Sequence, residues 1–401
     1  MKKILIVSHA MELGGAETAL LGLLENIDAD KYEVELFLLR HSGELMKYIP
    51  TNIKLLPEIP QYAALAAPIG QVIKKGQWKV ALGRTVGKYK AKKCVKKLSF
   101  PPDNGVAIEY SHKYTRYAMP RISSREYDLA ISFLTPHYFV AEKVSAKEKI
   151  AWIHTDYSVV KVDTRSELIM WSKFNHIVSI SDNVSESFIK AFPSLKERIV
   201  LIENIMPIDY MRKLVNKFST ESEMPEDGSI KLLSIGRFSS PKRFDEVPKI
   251  CKGIRESGIN VKWYLIGYGG DEQLIRQKIS EEHMEDYVII LGKKENPYPY
   301  IKACDIYLQP SRYEGKSVAV REAQAINKPV IITNYATAQS QLTDGEDGII
   351  VPMDIQGSVE GICAVIRDKK FRQMLIENTK KNDYTNAGEI RKLYKILESD
   401  D

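Results

Sequence analysis

A rhythm that runs through the chain twice constrains its fold more than anything else in the sequence. Short apolar runs alternate with amphipathic segments, and the alternation starts afresh midway. Lys3–Ser8 reads as a buried strand, and Ala16–Ile27 as a helix with Leu20, Leu21, Leu23 and Leu24 available for a core face. Val34–Leu39, Leu129–Phe133, Lys149–His154 and His176–Ile180 read as later strands of the same sheet. The second half offers Lys231–Gly236, Val261–Ile266, Val288–Leu291, Ile306–Gln309, Val330–Thr333 and Gly348–Val351. Strands separated by helices build parallel sheets from βαβ units. With 401 residues the chain exceeds what one core holds, so the expectation is α/β, with two doubly wound Rossmann-like domains. Ligands then bind where strands end, at the point where strand order reverses. The polar stretch Lys217–Gly228, with Pro225 and Gly228, reads as the linker.

Composition narrows the class further. Apolar residues at 44% and charged residues at 27% exclude disorder and collagen-like repeats. Cys94, Cys251, Cys304 and Cys363 lie far apart, with neither disulfide-scaffold nor metal-ligand spacing. The apolar run near Met1 ends after four residues at Ser8 and His9, too short for a signal peptide. Ala63–Ile73 contains Pro68 and Gly70 and falls short of the roughly 20 residues a spanning helix needs. A cytoplasmic protein without a transmembrane segment is expected.

The densest chemical signal is Tyr313-Glu314-Gly315-Lys316-Ser317-Val318-Ala319-Val320-Arg321-Glu322. A strand runs into a short loop and then a helix from about Ser317. Gly315 permits close backbone approach, and the N–H groups around Ser317–Ala319 can receive an anion. Glu314 and Glu322 flank that position. The bland alternative makes Glu322 a solvated helix charge and Ser317 a simple N-cap. Gly236-Arg237 and Lys242 put two cations on the loop after the second half's first strand, where a leaving diphosphate needs neutralising. Gly267-Tyr268-Gly269-Gly270 follows the next strand, and Lys293 and Lys294 the one after. Singly, the glycines are tight turns and the lysines solvated surface; four strand-end loops suited to one nucleotide diphosphate weigh more.

In that order these motifs, with Pro310-Ser311-x-x-Glu314-Gly315 and Glu314-x7-Glu322, resemble the family 4 retaining glycosyltransferases of the GT-B fold. Gly14-Gly15-Ala16-Glu17, Trp152-Ile153-His154-Thr155-Asp156 and Ile202-Glu203-Asn204-Ile205 look like that family's N-terminal patterns. The Glu-Gly-Lys-Ser version is most similar to enzymes of bacterial surface-polysaccharide assembly. The resemblance breaks off over roughly 60–125, which reads as a basic insertion in the first domain. The resemblance implies two domains facing across a cleft: 1–207 for the acceptor and 208–383 for the nucleotide sugar, with a helix at 384–401 packing back on the first. It further implies that Arg237 and Lys242 hold the donor diphosphate and that Glu314 contacts the transferred sugar. Backbone amides of Lys316, Ser317 and Val318 would bind sugar or phosphate, Glu322 the ribose, and Gly236, Gly267 and Gly315 would line the donor. Gly15 would sit near the phosphates and His154 near the donor sugar.

Asp28-Ala29-Asp30 ends a helix and reads as a solvated turn; no metal is expected, since Arg237 and Lys242 supply the charge. A dinucleotide oxidoreductase would carry G-x-G-x-x-G after the first strand, and Ser8–Gly15 lacks it. A non-catalytic nucleotide-sugar-binding partner subunit, and an epimerase or phosphorylase on the same scaffold, stay open beside the transferase.

Net charge is +6, and its placement matters more than its sum. Ten Lys or Arg and no acidic residue lie between Glu58 and Asp103, so elsewhere 48 basic residues face 52 acidic ones. Trp78, Leu82, Val86 and Tyr89 fall at helical spacing beside Lys79, Lys88, Lys90, Lys92 and Lys93. A basic amphipathic helix suits an anionic membrane surface or an anionic, lipid-linked acceptor. An ordinary helix with a solvated basic face is the competing reading. Nucleic acid is not expected, because only two aromatics lie near the charge. The function expected is retaining transfer from a UDP-sugar to a glycan hydroxyl, peripheral to the inner membrane face.

Overall fold

The structure is a computed structural model that describes residues 1–101 and 104–398. It divides into two compact units. Met1–Ile205, rejoined by the C-terminal stretch from Ala387, forms the first, and Met206–Asn386 forms the second.

The first unit is built on seven parallel strands: β1 (Lys2–Ser8), β2 (Tyr32–Leu38), β3 (Lys54–Leu55), β4 (Glu126–Ser132), β5 (Ser145–Ile153), β6 (His176–Ser179) and β7 (Ile199–Leu201). Their order is β3-β2-β1-β4-β5-β6-β7, with Ile4 opposite Val34 on one side and Leu129 on the other. Helices cover both faces, so the middle of β1 is buried throughout at Ile4, Leu5 and Ile6. The edge strands β3 and β7 are two and three residues long, too short to leave an apolar periodicity in the sequence. Helix Ile390–Glu398 belongs here: it buries Ile390, Leu393, Ile396 and Leu397. Tyr394 stacks on Tyr32 at 4.8 Å, and the Asp28 N–H donates to its hydroxyl at 2.8 Å.

The stretch that the family resemblance leaves out is helical. Helix Trp78–Leu98 packs on helix Val106–Thr115 through a seam of small residues. A Cβ on Gly83 would stand 2.9 Å from the Tyr114 carbonyl oxygen, and one on Gly87 2.6 Å from that of Tyr110. Because Val80, Ala81, Gly87 and Ala91 form the buried side, the predicted apolar stripe faces solvent. Trp78, Leu82 and Tyr89 are 58%, 58% and 57% exposed, flanked by exposed Lys88, Lys90, Lys92 and Lys93.

The second unit holds six parallel strands: β8 (Ile230–Ile235), β9 (Val261–Ile266), β10 (Val288–Gly292), β11 (Ile306–Gln309), β12 (Val330–Thr333) and β13 (Ile349–Val351), ordered β10-β9-β8-β11-β12-β13. Helix Val247–Glu256 places Val247, Ile250, Cys251 and Ile254 on the core, at the spacing one helical face requires. Lys217–Gly228 is not the link between units: the chain crosses at Ile205–Met206 and again at Asn386–Ala387. That polar stretch folds onto the second unit, where Met224 is fully buried and Glu223 bonds Lys294 and Tyr300. Strand order reverses between β8 and β11, so the loops that follow them, carrying Arg237, Lys242 and Glu314, open from the switch point.

Candidate functional site

Arg312 joins the two switch-point loops. Its backbone N–H donates to the Pro241 carbonyl at 2.8 Å. Its guanidinium donates to the Ser240 carbonyl, to both Asp245 oxygens (2.8 and 2.9 Å) and to Glu246 (2.7 Å). A planar fork matching a carboxylate holds geometry as well as charge. The turn Ser240–Lys242 is thereby fixed against the loop that presents Glu314.

Lys242 and Glu314 meet. The Lys242 ammonium donates to Glu314 Oε1 at 2.5 Å, with the side chains 21% and 10% exposed. The same oxygen accepts from the Ser311 hydroxyl at 2.6 Å and from Gln309 Nε2 at 3.2 Å. Gln309 is itself oriented by Tyr307, whose hydroxyl donates to Oε1 of Gln309 at 2.8 Å. All these donors converge on one oxygen of Glu314, and among the described residues none reaches Oε2. Arg237, one loop turn away, is exposed and its side chain has no partner among the described residues.

The glycines around this pair answer to backbone contact. Gly267 adopts φ +154°, and a Cβ there would lie 1.9 Å from the Gly236 carbonyl oxygen. Gly236 in turn lies against the Lys242 stem, 3.3 Å from where its own Cβ would stand. The loops after β8 and β9 therefore touch backbone to backbone beneath the cation. Gly315 has open space where a side chain would project.

Helix Val318–Ala325 corrects part of the sequence expectation. Ser317 precedes it, yet the Ser317 side chain does not cap it, and the Ser317 N–H donates to Gln341 Oε1 at 2.7 Å. That amide is thus already occupied, because Gln341, buried from a later segment, reaches back to it. The helix end still bears uncapped amides at Val318 and Ala319. Glu322 is no solvated helix charge: it is 7% exposed, and Tyr298 donates to its Oε1 at 2.9 Å. Burial outweighs that bond and lifts its carboxyl to about 7. On the loop after β10, Lys294 is paired with Glu223 at 2.5 Å, and Lys293 lies 5.3 Å from the Tyr268 ring centroid.

Two expected residues belong to the first unit. Gly15 is the exposed first residue of helix Gly15–Asn26, at the end of the loop after β1. His154 directly follows β5, with its ring 4.8 Å from that of Phe133. Burial lowers its pKa to about 4, so the imidazole is neutral near pH 7, and among the described residues its Nε2 has no hydrogen-bond partner. Asp28-Ala29-Asp30 forms the turn before β2, where Lys31 lies 3.4 Å from Asp28.

Sequence reasoning passed over Arg312, Gln309, Asp245, Tyr298 and Gln341. Arg312 lies inside the quoted motif, so its position was in view. Its partners are 66 and 67 residues away, and only the fold brings them together.

Against known proteins, residues 216–382 match the family model described as "Glycosyl transferases group 1". The chain is 27% identical over 153 residues to the N-acetylgalactosamine-N,N'-diacetylbacillosaminyl-diphospho-undecaprenol 4-alpha-N-acetylgalactosaminyltransferase of Campylobacter jejuni, covering 37% of this chain and 41% of that protein. It is 28% identical over 181 residues to the capsular polysaccharide biosynthesis glycosyltransferase CapM of Staphylococcus aureus, covering 41% and 46%. The chain spans less than half the length of the curated relatives it matches. Among solved structures, Anabaena Alr3699/HepE in complex with UDP and glucose superposes over 100% of both chains, with TM-score 0.68 and 16% identity. TarM matches over 99% of each chain at TM-score 0.67 and 12% identity. Two parallel-sheet Rossmann-like units of GT-B type are the fold these proteins share with this chain.

Proposed function

We propose that this chain is a retaining glycosyltransferase that moves a sugar from a nucleotide diphosphate donor, a UDP-sugar, to a hydroxyl of a glycan acceptor in bacterial surface-polysaccharide assembly. One observation carries the reading: at the switch point Lys242 and Glu314 meet, on loops that Arg312 joins, and Arg237 lies exposed on the first of those loops. The match of 216–382 to group 1 glycosyltransferases and the polysaccharide enzymes among the relatives support it.

In this mechanism the donor diphosphate lies against Lys242, Arg237 and the Val318 and Ala319 amides. Negative charge that grows on the leaving phosphate meets donors already in position. Diphosphate draws on the same ammonium that Glu314 now holds, and Ser311 and Gln309 keep Glu314 in place as that contact loosens. Glu314 then presents Oε2 to a hydroxyl of the transferred sugar, while Glu322 accepts from the ribose. No metal takes part, because the two cations neutralise the diphosphate.

The exposed face of helix Trp78–Leu98 supports peripheral attachment to an anionic membrane and a lipid-linked acceptor. It sets three large apolar side chains among lysines, the composition that enters a headgroup layer. Among the described residues no helix is long and apolar enough to cross a membrane.

Donor hydrolysis by the purified chain, screened over UDP-, GDP-, ADP- and dTDP-sugars, tests class and donor together. Turnover with a UDP-sugar, abolished in Glu314→Ala and in Arg237→Ala with melting temperature retained, is the expected result. Full activity in both variants would overturn the assignment.

A further inference from the structure

A cavity of about 370 Å³ lies within the first unit, lined entirely by residues between Asn104 and Trp171. Among the described residues, four polar atoms on its lining are buried without a hydrogen-bond partner: Glu109 Oε2, His112 Nδ1, Trp152 Nε1 and His154 Nε2. Unpaired buried groups are costly, and four around one cavity point to a molecule that pairs them. Glu109 and Trp152 are 7% and 3% exposed, so bulk water does not satisfy them.

The chemistry of the wall selects the ligand. Neither Lys nor Arg lines the cavity, and its histidines are neutral, since burial takes His112 and His137 to about 3 and His154 to about 4. A phosphate or other anion finds no counter-charge there. Glu109 is anchored through Oε1, which accepts from Tyr138 at 2.5 Å and Ser166 at 2.7 Å, so Oε2 is offered from a fixed position. Glu167 is held in the same way by Tyr157 (2.7 Å) and the Trp171 indole (3.2 Å). The indole N–H of Trp152 only donates and Glu109 Oε2 accepts, while His112 and His154 each turn one unpaired ring nitrogen to the cavity, the other nitrogen of His154 being bonded to the Phe133 backbone. A partner must therefore donate and accept at several points and lay apolar faces on aromatic rings.

We propose that this cavity binds a neutral pyranose, with Glu109, His112, Trp152 and His154 bonding its hydroxyl or acetamido groups. Naming that sugar as the end of the acceptor rests on the glycosyltransferase reading; its binding does not. Glu109 and His112 come from helix Val106–Thr115, inside the stretch 60–125 that the family resemblance leaves out.

The full chain is titrated with methyl glycosides of glucose, galactose, mannose, N-acetylglucosamine and N-acetylgalactosamine. Binding is read by tryptophan fluorescence, since Trp152 and Trp171 line the cavity, and by saturation-transfer NMR. At least one glycoside saturates the parent, and Trp152→Phe and Glu109→Gln each weaken it at least tenfold. UDP affinity, measured alongside, stays within twofold, and a retained melting temperature and circular dichroism spectrum show that the variants are folded; His112→Gln stands in if either is not. Failure of every glycoside to saturate, or variants that bind like the parent, overturns the proposal, leaving a cavity filled by water. Glycoside binding without donor hydrolysis sinks the transferase reading and keeps the cavity; hydrolysis without glycoside binding does the reverse.

Discussion

Replacing Glu322 by Gln separates burial from function in a way that can be worked through. The carboxyl is 7% exposed and its pKa rises from 4.5 to about 7, chiefly through burial, with the Tyr298 bond opposing. A group whose folded pKa is raised adds stability that is fully present below its unfolded value. That contribution is lost as pH climbs through the folded value. Between pH 4.5 and pH 7 the parent should therefore lose stability relative to Glu322→Gln, and the difference should level off above that range. A shift of this size corresponds to about 3 kcal/mol, at 1.36 kcal/mol per unit. For a domain of this size that is about 6 to 12 °C in melting temperature. Thermal melts of both proteins at half-unit steps from pH 4.5 to 8.5 measure it, the variant gaining on the parent as pH rises. Tyr298→Phe, which removes the one bond favouring the carboxylate, should move the parent's transition to higher pH. Parallel melting curves for parent and Glu322→Gln would refute the reasoning, since the carboxylate would then be solvated.

Other outcomes follow from the same contacts. Gly267→Ala should cost about 3 kcal/mol or more in urea denaturation, because the new Cβ meets the Gly236 carbonyl at 1.9 Å on a backbone at φ +154°; a cost under 0.5 kcal/mol would contradict it. Arg312→Ala removes the fork to Asp245 and should cost about 2 kcal/mol. The same variant should raise the KM for donor more than Arg312→Lys does, which steady-state kinetics would show. Changing Lys88, Lys90, Lys92 and Lys93 to Gln should lower partition onto phosphatidylserine vesicles at least tenfold, at about 1 kcal/mol per cation. UDP affinity should hold, and equal sedimentation of parent and variant with vesicles would count against the membrane face.

The positions of the strands were readable from the chain alone, because strand and helix periods are local properties of neighbouring residues. The same holds for the strand-end loops that carry Arg237, Lys242 and Glu314, since a glycine or cation directly after an apolar run is visible without any partner. The edge strands β3 and β7 escaped because two or three residues hold no period. The contact of the Ser317 amide with Gln341 was not visible, because the two lie 24 residues apart.

Which face of a helix is buried was decided by its neighbour. Trp78, Leu82 and Tyr89 form the more apolar stripe, yet Gly83 and Gly87 allow helix Val106–Thr115 so close that the small side is covered instead. Burial of Glu322 and the pairing of Arg312 with Asp245 likewise depend on elements far apart in sequence. So does the cavity around Glu109 and Trp152, assembled from helices and strand ends that carry no signal of one another. Local periodicity determines the elements and their succession along the chain, not the order in which the sheets arrange them. Desolvation and pairing are sums over neighbours in space, so only the tertiary structure settles which polar groups are satisfied, which are charged and which are left open to a ligand.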